Sequence, residues 1–172
     1  MIFLIKLADI VISRKKRAFE ALKKYNVDGW LIISSGNDAN AEYLVGTKVF
    51  GTIAVLLTRD KLISLVSSLE KSMIDENTVD EVLSYYGARE FMAKLMEMLS
   101  EISNGRLLVN MGAPLAAPYA SRILYSHAKI IESLANLYGI ELIPSSNFVR
   151  ELRSIKTNEE LTALELAVKA LS

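Results

Sequence analysis

The sequence predicts an α/β fold, a three-layer α/β/α arrangement around a mixed sheet of five to six strands that includes one hairpin. Three observations predict it. Short apolar, β-branched runs alternate with stretches whose apolar residues recur every three or four positions, the rhythm of strand and helix in turn. Two of the apolar runs are only two residues apart, so that pair is antiparallel and the sheet is mixed, with helices on both faces. Finally, 172 residues of which 51% are apolar and 23% charged suit one domain with a real core, hiding about 70% of the unfolded chain's surface.

The elements follow in order. Over residues 13–25, Ala18, Phe19, Leu22 and Tyr25 keep to one helical face, and Asn26 and Gly29 end the helix. Trp30-Leu31-Ile32-Ile33 reads as a strand buried on both faces. Residues 34–40 are polar and contain a glycine, which suits a loop or the start of a helix. Residues 52–58 and 61–66 flank Arg59-Asp60 as the two arms of a hairpin. A short helix over 67–77 and a strand over 79–85 come next.

Residues 89–103 form a helix whose face is Phe91, Leu95, Met98, Leu99 and Ile102. Met92, Met96 and Met98 read as core filler in and beside that helix. A strand over 106–110 is broken by Met111-Gly112-Ala113-Pro114. A long helix runs from about Pro118 to Tyr138 and stops at Gly139. The last strand, 140–143, ends at Pro144. After a short connection, Thr157-Asn158-Glu159-Glu160 matches the Thr-x-x-Glu capping box ahead of Leu161, Leu164 and Val168.

Composition excludes several functions. Twenty Lys+Arg offset twenty Asp+Glu, so no net field draws the chain to nucleic acid or to an anionic membrane. The run Arg14-Lys15-Lys16-Arg17 reads as a solvated helix face. With no cysteine and one histidine, disulfides, thiolate nucleophiles and soft metal sites are out, and an all-carboxylate cage is the form of hydrolytic metal site left open. The candidate carboxylates (Asp28, Asp60, Asp75, Glu76, Glu81, Glu97) are scattered over helix faces and turns. His127 has no evident nucleophile or orienting acid near it in the sequence and reads as structural. There is no nucleophile elbow, phosphate loop or dinucleotide turn. The apolar start, residues 1–12, is interrupted by Lys6 and Asp9, lacks a cleavage site and is too short to span a bilayer. A cytoplasmic protein is expected.

Two segments carry a resemblance. Asn40-Ala41-Glu42-Tyr43-Leu44-Val45-Gly46, followed by Phe50-Gly51 and the hairpin, is similar to the Asn-x-x-Tyr-aliphatic-x-Gly segment of prolidases and related Xaa-Pro peptidases. Residues 149–161, Val-Arg-Glu-Leu-Arg-Ser-Ile-Lys-Thr-Asn-Glu-Glu-Leu, resemble the junction between that family's N-terminal and catalytic domains. The order of elements agrees from about Ser13 onward. Residue 42 departs from the pattern, since a basic or neutral residue is common there.

The resemblance to the prolidase, aminopeptidase P and creatinase family implies an α/β/α N-terminal domain over 1–156 and the start of a linking helix over 157–172. It implies a catalytic domain of pita-bread fold, outside this chain, that holds two divalent metal ions. No cofactor is expected in this chain itself. What it implies for this part is a homodimer and a narrowed entrance admitting short proline-containing peptides. By position, Asn37, Asp38, Asn40 and Tyr43 would face that entrance. The same residue types also suit a plainer role, in which Tyr43, Leu44 and Gly46 end a short helix and pack it on the sheet. A free-standing interaction module that kept the fold without peptidase activity is the competing function, and a small-molecule pocket at the carboxyl ends of the strands is a third.

Overall fold

The computed structural model describes residues 7–111 and 123–171. Its centre is strand β1, Gly29–Ser35, whose residues Trp30, Leu31, Ile32 and Ile33 are all fully buried. Side chains alternate along a strand, so Trp30 and Ile32 enter one core while Leu31 and Ile33 enter the other. A strand buried on both faces needs a neighbour on each side and a helical layer above and below.

Both neighbours are present. β2 (Thr52–Thr58) pairs antiparallel with β1, and β5 (Arg106–Val109) pairs parallel on its other side. β3 (Leu62–Ser67) is antiparallel to β2, β4 (Glu81–Tyr85) is parallel to β3, and β6 (Glu141–Pro144) is parallel to β5. The six strands lie in the order β4-β3-β2-β1-β5-β6. The mixed sheet with its hairpin is therefore as the sequence predicts. The hairpin turn has no glycine because Thr58 organises it. Its hydroxyl donates to Asp60 Oδ1 at 2.7 Å and accepts from the Lys61 N–H at 3.1 Å.

One helical layer consists of α1 (Leu7–Tyr25), α2 (Ala39–Val45) and α5 (Ser146–Ser154). It buries Ala18, Leu22, Leu44, Phe148, Val149 and Leu152 against Trp30, Ile32, Val55 and Leu57. Phe148 stands edge-on to Trp30 and to Tyr25, with ring centroids 5.0 and 5.3 Å apart, the arrangement that aromatic quadrupoles favour. The opposite layer is α3 (Ala88–Ser100) with α4 (Tyr125–Tyr138), which put Phe91, Leu95, Leu99, Ile131 and Leu134 on Leu31, Ile33 and Leu56. A last helix, α6 (Asn158–Leu171), leaves the first layer.

Several boundaries differ from the sequence reading. α1 is already helical at Leu7, not from Ser13, because Val11, fully buried, continues the face of Ala18 and Leu22 backward. The helix expected over 67–77 is a single 3₁₀ turn, Lys71–Met73. That stretch has no helical stripe, since Leu69 and Met73 point to solvent and only Ile74 is buried. The short connection before Thr157 is the helix α5, whose Phe148, Val149 and Leu152 keep helical spacing. β6 begins at Glu141 instead of Ile140 and ends, as expected, at Pro144, which pairs with Val109, a place that an edge strand offers a residue without an N–H. Of the three methionines only Met98 is fully in the core, with Met92 partly buried and Met96 at the surface. The expected start of the fourth helix at Pro118 lies outside the described residues.

Replacing Phe148 with Ala removes a ring at the centre of one core, and a loss of about 3–5 kcal/mol is expected. A denaturant titration followed by the fluorescence of Trp30, the single tryptophan, should show a lower midpoint with an unchanged slope.

Candidate functional site

β1 ends at Ser34 and Ser35, and the chain turns through Gly36, Asn37 and Asp38 into α2. α2 follows β1 onto one face of the sheet, while α4 follows the adjacent parallel strand β5 onto the other. Chains that part to opposite faces leave a crevice outside the carboxyl ends of the two strands. A cleft of about 290 Å³ lies there, lined among the described residues by Ser34, Ser35, Asn37, Asp38, Ile123 and Leu124.

Of the four residues picked out in the sequence, Asn37 and Asp38 line this cleft, and Asn37 is exposed. Asp38 is only 3% exposed. It caps α2, its Oδ1 accepting from the N–H groups of Asn40 at 2.8 Å and Ala41 at 3.0 Å. An aspartate at this position satisfies N–H groups that the first helical turn leaves unpaired.

Asn40 and Tyr43 lie elsewhere. They are buried on the side of α2 that meets α1 and α5. Asn40 Oδ1 accepts from Arg153 Nη1 at 3.1 Å. The guanidinium groups of Arg14 and Arg153 lie 4.6 and 5.8 Å from the centre of the Tyr43 ring. Burial pushes the Tyr43 hydroxyl above its ordinary pKa and Glu160 adds to that, while Arg14, Arg17 and Arg153 pull the other way. Leu44 is fully buried, and Gly46 closes α2 in the left-handed conformation with φ +80°. A side chain at Gly46 would also meet Val11, since a Cβ there would stand 2.6 Å from Val11 Cγ2. The plainer helix-ending role of Tyr43, Leu44 and Gly46 is thus what the backbone shows.

The junction segment supplies a capping box that the sequence predicts and an ion pair to α1 that it does not. The capping box forms as its spacing predicts, with Glu160 Oε2 accepting from the Thr157 N–H at 2.8 Å and Thr157 Oγ1 from the Glu160 N–H at 3.2 Å. Glu160 Oε1 accepts from Arg14 Nε at 2.9 Å and Nη2 at 2.7 Å. Burial alone would raise the Glu160 pKa, but the Thr157 N–H and the Arg14 guanidinium outweigh it and hold the carboxyl below the ordinary glutamate value. The basic run on α1 is correspondingly less solvated than its sequence suggests. Arg14 binds Glu160, Lys15 binds Asp80 at 3.0 Å and Arg17 donates to the Ile155 carbonyl, leaving Lys16 exposed.

The scattered carboxylates hold turns and strand ends. Asp28 Oδ2 accepts from the Arg106 N–H, Asp75 Oδ1 from the Asn77 N–H, and Glu81 pairs with Lys61. Among the described residues no three His, Cys, Asp or Glu side chains are grouped so as to hold a metal ion. His127 is half-buried on α4, its Nδ1 without a partner among the described residues, and burial lowers its pKa. No described helix is long and apolar enough to cross a membrane.

The sequence profile of the Creatinase/Prolidase N-terminal domain matches residues 14–155. No curated protein matches the chain in sequence. Among solved structures, a dipeptidase from Pyrococcus horikoshii OT3 is similar at 25% identity and a TM-score of 0.65, covering 87% of this chain and 38% of its own. The prolidase from the same organism is similar at 23% identity and a TM-score of 0.60, covering 92% of this chain and 41% of its own. The N-terminal domain of the cytoplasmic peptidase PepQ from Mycobacterium tuberculosis H37Rv shares the fold at 16% identity and a TM-score of 0.59, covering 82% of this chain and 98% of its own. The chain thus spans about two fifths of the two archaeal enzymes and nearly all of the isolated domain.

Two outcomes are expected from this geometry. Asp38→Ala should cost about 1–2 kcal/mol by loss of the cap, whereas Asn37→Ala should stay within about 0.5 kcal/mol, both read by thermal or chemical unfolding. Because the folded pKa of Glu160 is depressed, its contribution is complete above the unfolded value and is lost as pH falls through the folded one. Melting temperatures recorded from neutral pH down through the range below 4.5 should therefore fall less steeply in Glu160→Gln than in the native chain.

Proposed function

Since this chain belongs to the creatinase/prolidase N-terminal domain family, we propose that it serves as the non-catalytic N-terminal domain of an Xaa-Pro dipeptidase-like metallopeptidase. In this reading it helps to build a homodimer and narrows the approach to an active site that cleaves short proline-containing peptides. The observation that carries the reading is the match of residues 14–155 to that domain, in a chain that covers 38% of the Pyrococcus horikoshii dipeptidase.

The chemistry belongs to a catalytic domain beyond residues 157–172, the start of the linking helix, and the two divalent metal ions would be held there. Residues of the present chain contribute shape. Of the predicted gating segment, Asn37 is exposed and Asp38, though buried, lines the cleft at the end of β1, and this is the part proposed to meet a peptide. Asn40 and Tyr43 would act through the packing of α2. The proposed compartment is the cytoplasm, as the name of the Mycobacterium tuberculosis peptidase states for that protein.

A second reading is a free-standing interaction module that has this fold without peptidase activity. Sequencing the gene past codon 172 separates the two. A frame that runs on into Asp, His and Glu ligands favours the first, and an immediate stop codon favours the second.

The purified chain, supplied with manganese, cobalt or zinc and an Xaa-Pro dipeptide, should release no proline. Turnover that a chelator abolishes would defeat the non-catalytic reading. Sedimentation velocity should show a concentration-dependent dimer, and a strictly monomeric boundary at millimolar chain would remove the assembly role.

A further inference from the structure

α6 is held at its first turn. Thr157 and Glu160 are each 8% exposed, but beyond them Leu161, Leu164, Val168 and Leu171 are 47, 54, 67 and 90% exposed. It packs against α1, which bonds to its first turn. Ser13 Oγ donates to Glu159 Oε2 at 2.6 Å, and Arg14 donates twice to Glu160 Oε1. A helix rises 1.5 Å per residue, so Leu171 is about 17 Å from this attachment, and a rotation of roughly 15° would displace it by about 4 Å.

The attachment does not end at the Arg14–Glu160 pair. Two N–H groups of one planar guanidinium directed at a single oxygen fix the orientation of the group, and its central carbon lies 4.6 Å from the centre of the Tyr43 ring on α2. Arg153 of α5 approaches the same ring and also binds Asn40 of α2. Glu160 meanwhile shares its carboxylate between Arg14 and the helix cap, so the direction of α6 and its first turn depend on one group. The Tyr43 hydroxyl has no hydrogen-bond partner among the described residues. What Tyr43 offers is therefore its face, to cations from α1 and α5.

We propose that Arg14, Tyr43, Arg153 and Glu160 form a joint that sets the direction of α6 against the sheet and makes α2 part of that setting. Arg14 is the positioning residue at its centre. Asn40 and Tyr43, buried away from the cleft, then connect the turn at Asn37–Asp38 to the helix by which the chain leaves the domain. The inference concerns this chain alone and does not depend on peptide gating.

The chain has no cysteine, so two spin labels can be placed cleanly, at Ala93→Cys on α3 and Ala170→Cys on α6, both exposed. Labelled chain is diluted into unlabelled chain so that only intramolecular distances are read by double electron–electron resonance. The native joint should give one narrow distribution. Arg14→Ala and Glu160→Gln should each widen it about two-fold or more, with far-UV circular dichroism unchanged because the side-chain amide oxygen introduced by Glu160→Gln still accepts from the Thr157 N–H. Arg14→Lys, which keeps the charge but loses the planar fork, should lie between. Tyr43→Leu should also widen it, since the ring would be gone while its volume is largely filled.

Unchanged distributions in Arg14→Ala and Glu160→Gln would overturn the joint. A narrow distribution in Tyr43→Leu alone would overturn the part assigned to α2. Widening accompanied by loss of helical signal would mean that α6 unwinds rather than turns, and would also overturn it. Should Arg14→Ala fail to fold, Glu160→Gln, which leaves the cap in place, carries the same test.

Discussion

Burial of β1 on both faces is the constraint from which the rest of the structure follows. Four consecutive large side chains, Trp30 to Ile33, are withdrawn entirely from water, and no arrangement with one wet face could accommodate them. They require two separate cores, hence two helical layers, and strands on both edges to pair their backbone. β2 and β5 meet that demand in opposite senses, one antiparallel and one parallel. The mixed character of the sheet is set at its centre.

That arrangement also determines where a site can exist. Because the connections leaving β1 and β5 go to opposite faces, the cleft opens at the carboxyl end of the pair, and the turn at Asn37 and Asp38 borders it. The same geometry leaves α1, α2, α5 and the first turn of α6 converging on the other side of α2. There, charge-assisted bonds and cation–ring contacts join the helices where apolar packing ends. The family profile matches residues 14–155, and among the described residues no three metal-ligating side chains are grouped.

Much of the architecture was legible from local pattern. The β-branched runs marked the strands, the spacing of Phe91, Leu95 and Leu99 marked α3, Gly139 marked the end of α4, and Thr157 with Glu160 marked the capping box. Each signal lies within a few residues, so no knowledge of distant partners was needed. Errors fell where a residue's environment is set from afar. Val11 lies in the apolar stretch before Ser13, to which the sequence assigns no element, and only its burial against the domain places it on the face of α1. Residues 67–77 had helix-forming composition without a stripe, and they became a crossover with one 3₁₀ turn.

The candidate site divides along the same line. The sequence by itself determined that an α/β domain forms, that its carboxylates are scattered, that Asp38 precedes a short helix and that Gly46 follows it, because caps and periodicity act over three or four residues. Only the tertiary structure decided that Asn37 and Asp38 reach a cleft while Asn40 and Tyr43 are turned inward. It alone placed Arg14 against Glu160, 146 residues away in sequence. Contacts of that kind are specified by how the layers stack, and a solvent-seeking arginine on a helix face carries no local mark of the carboxylate and ring it will meet.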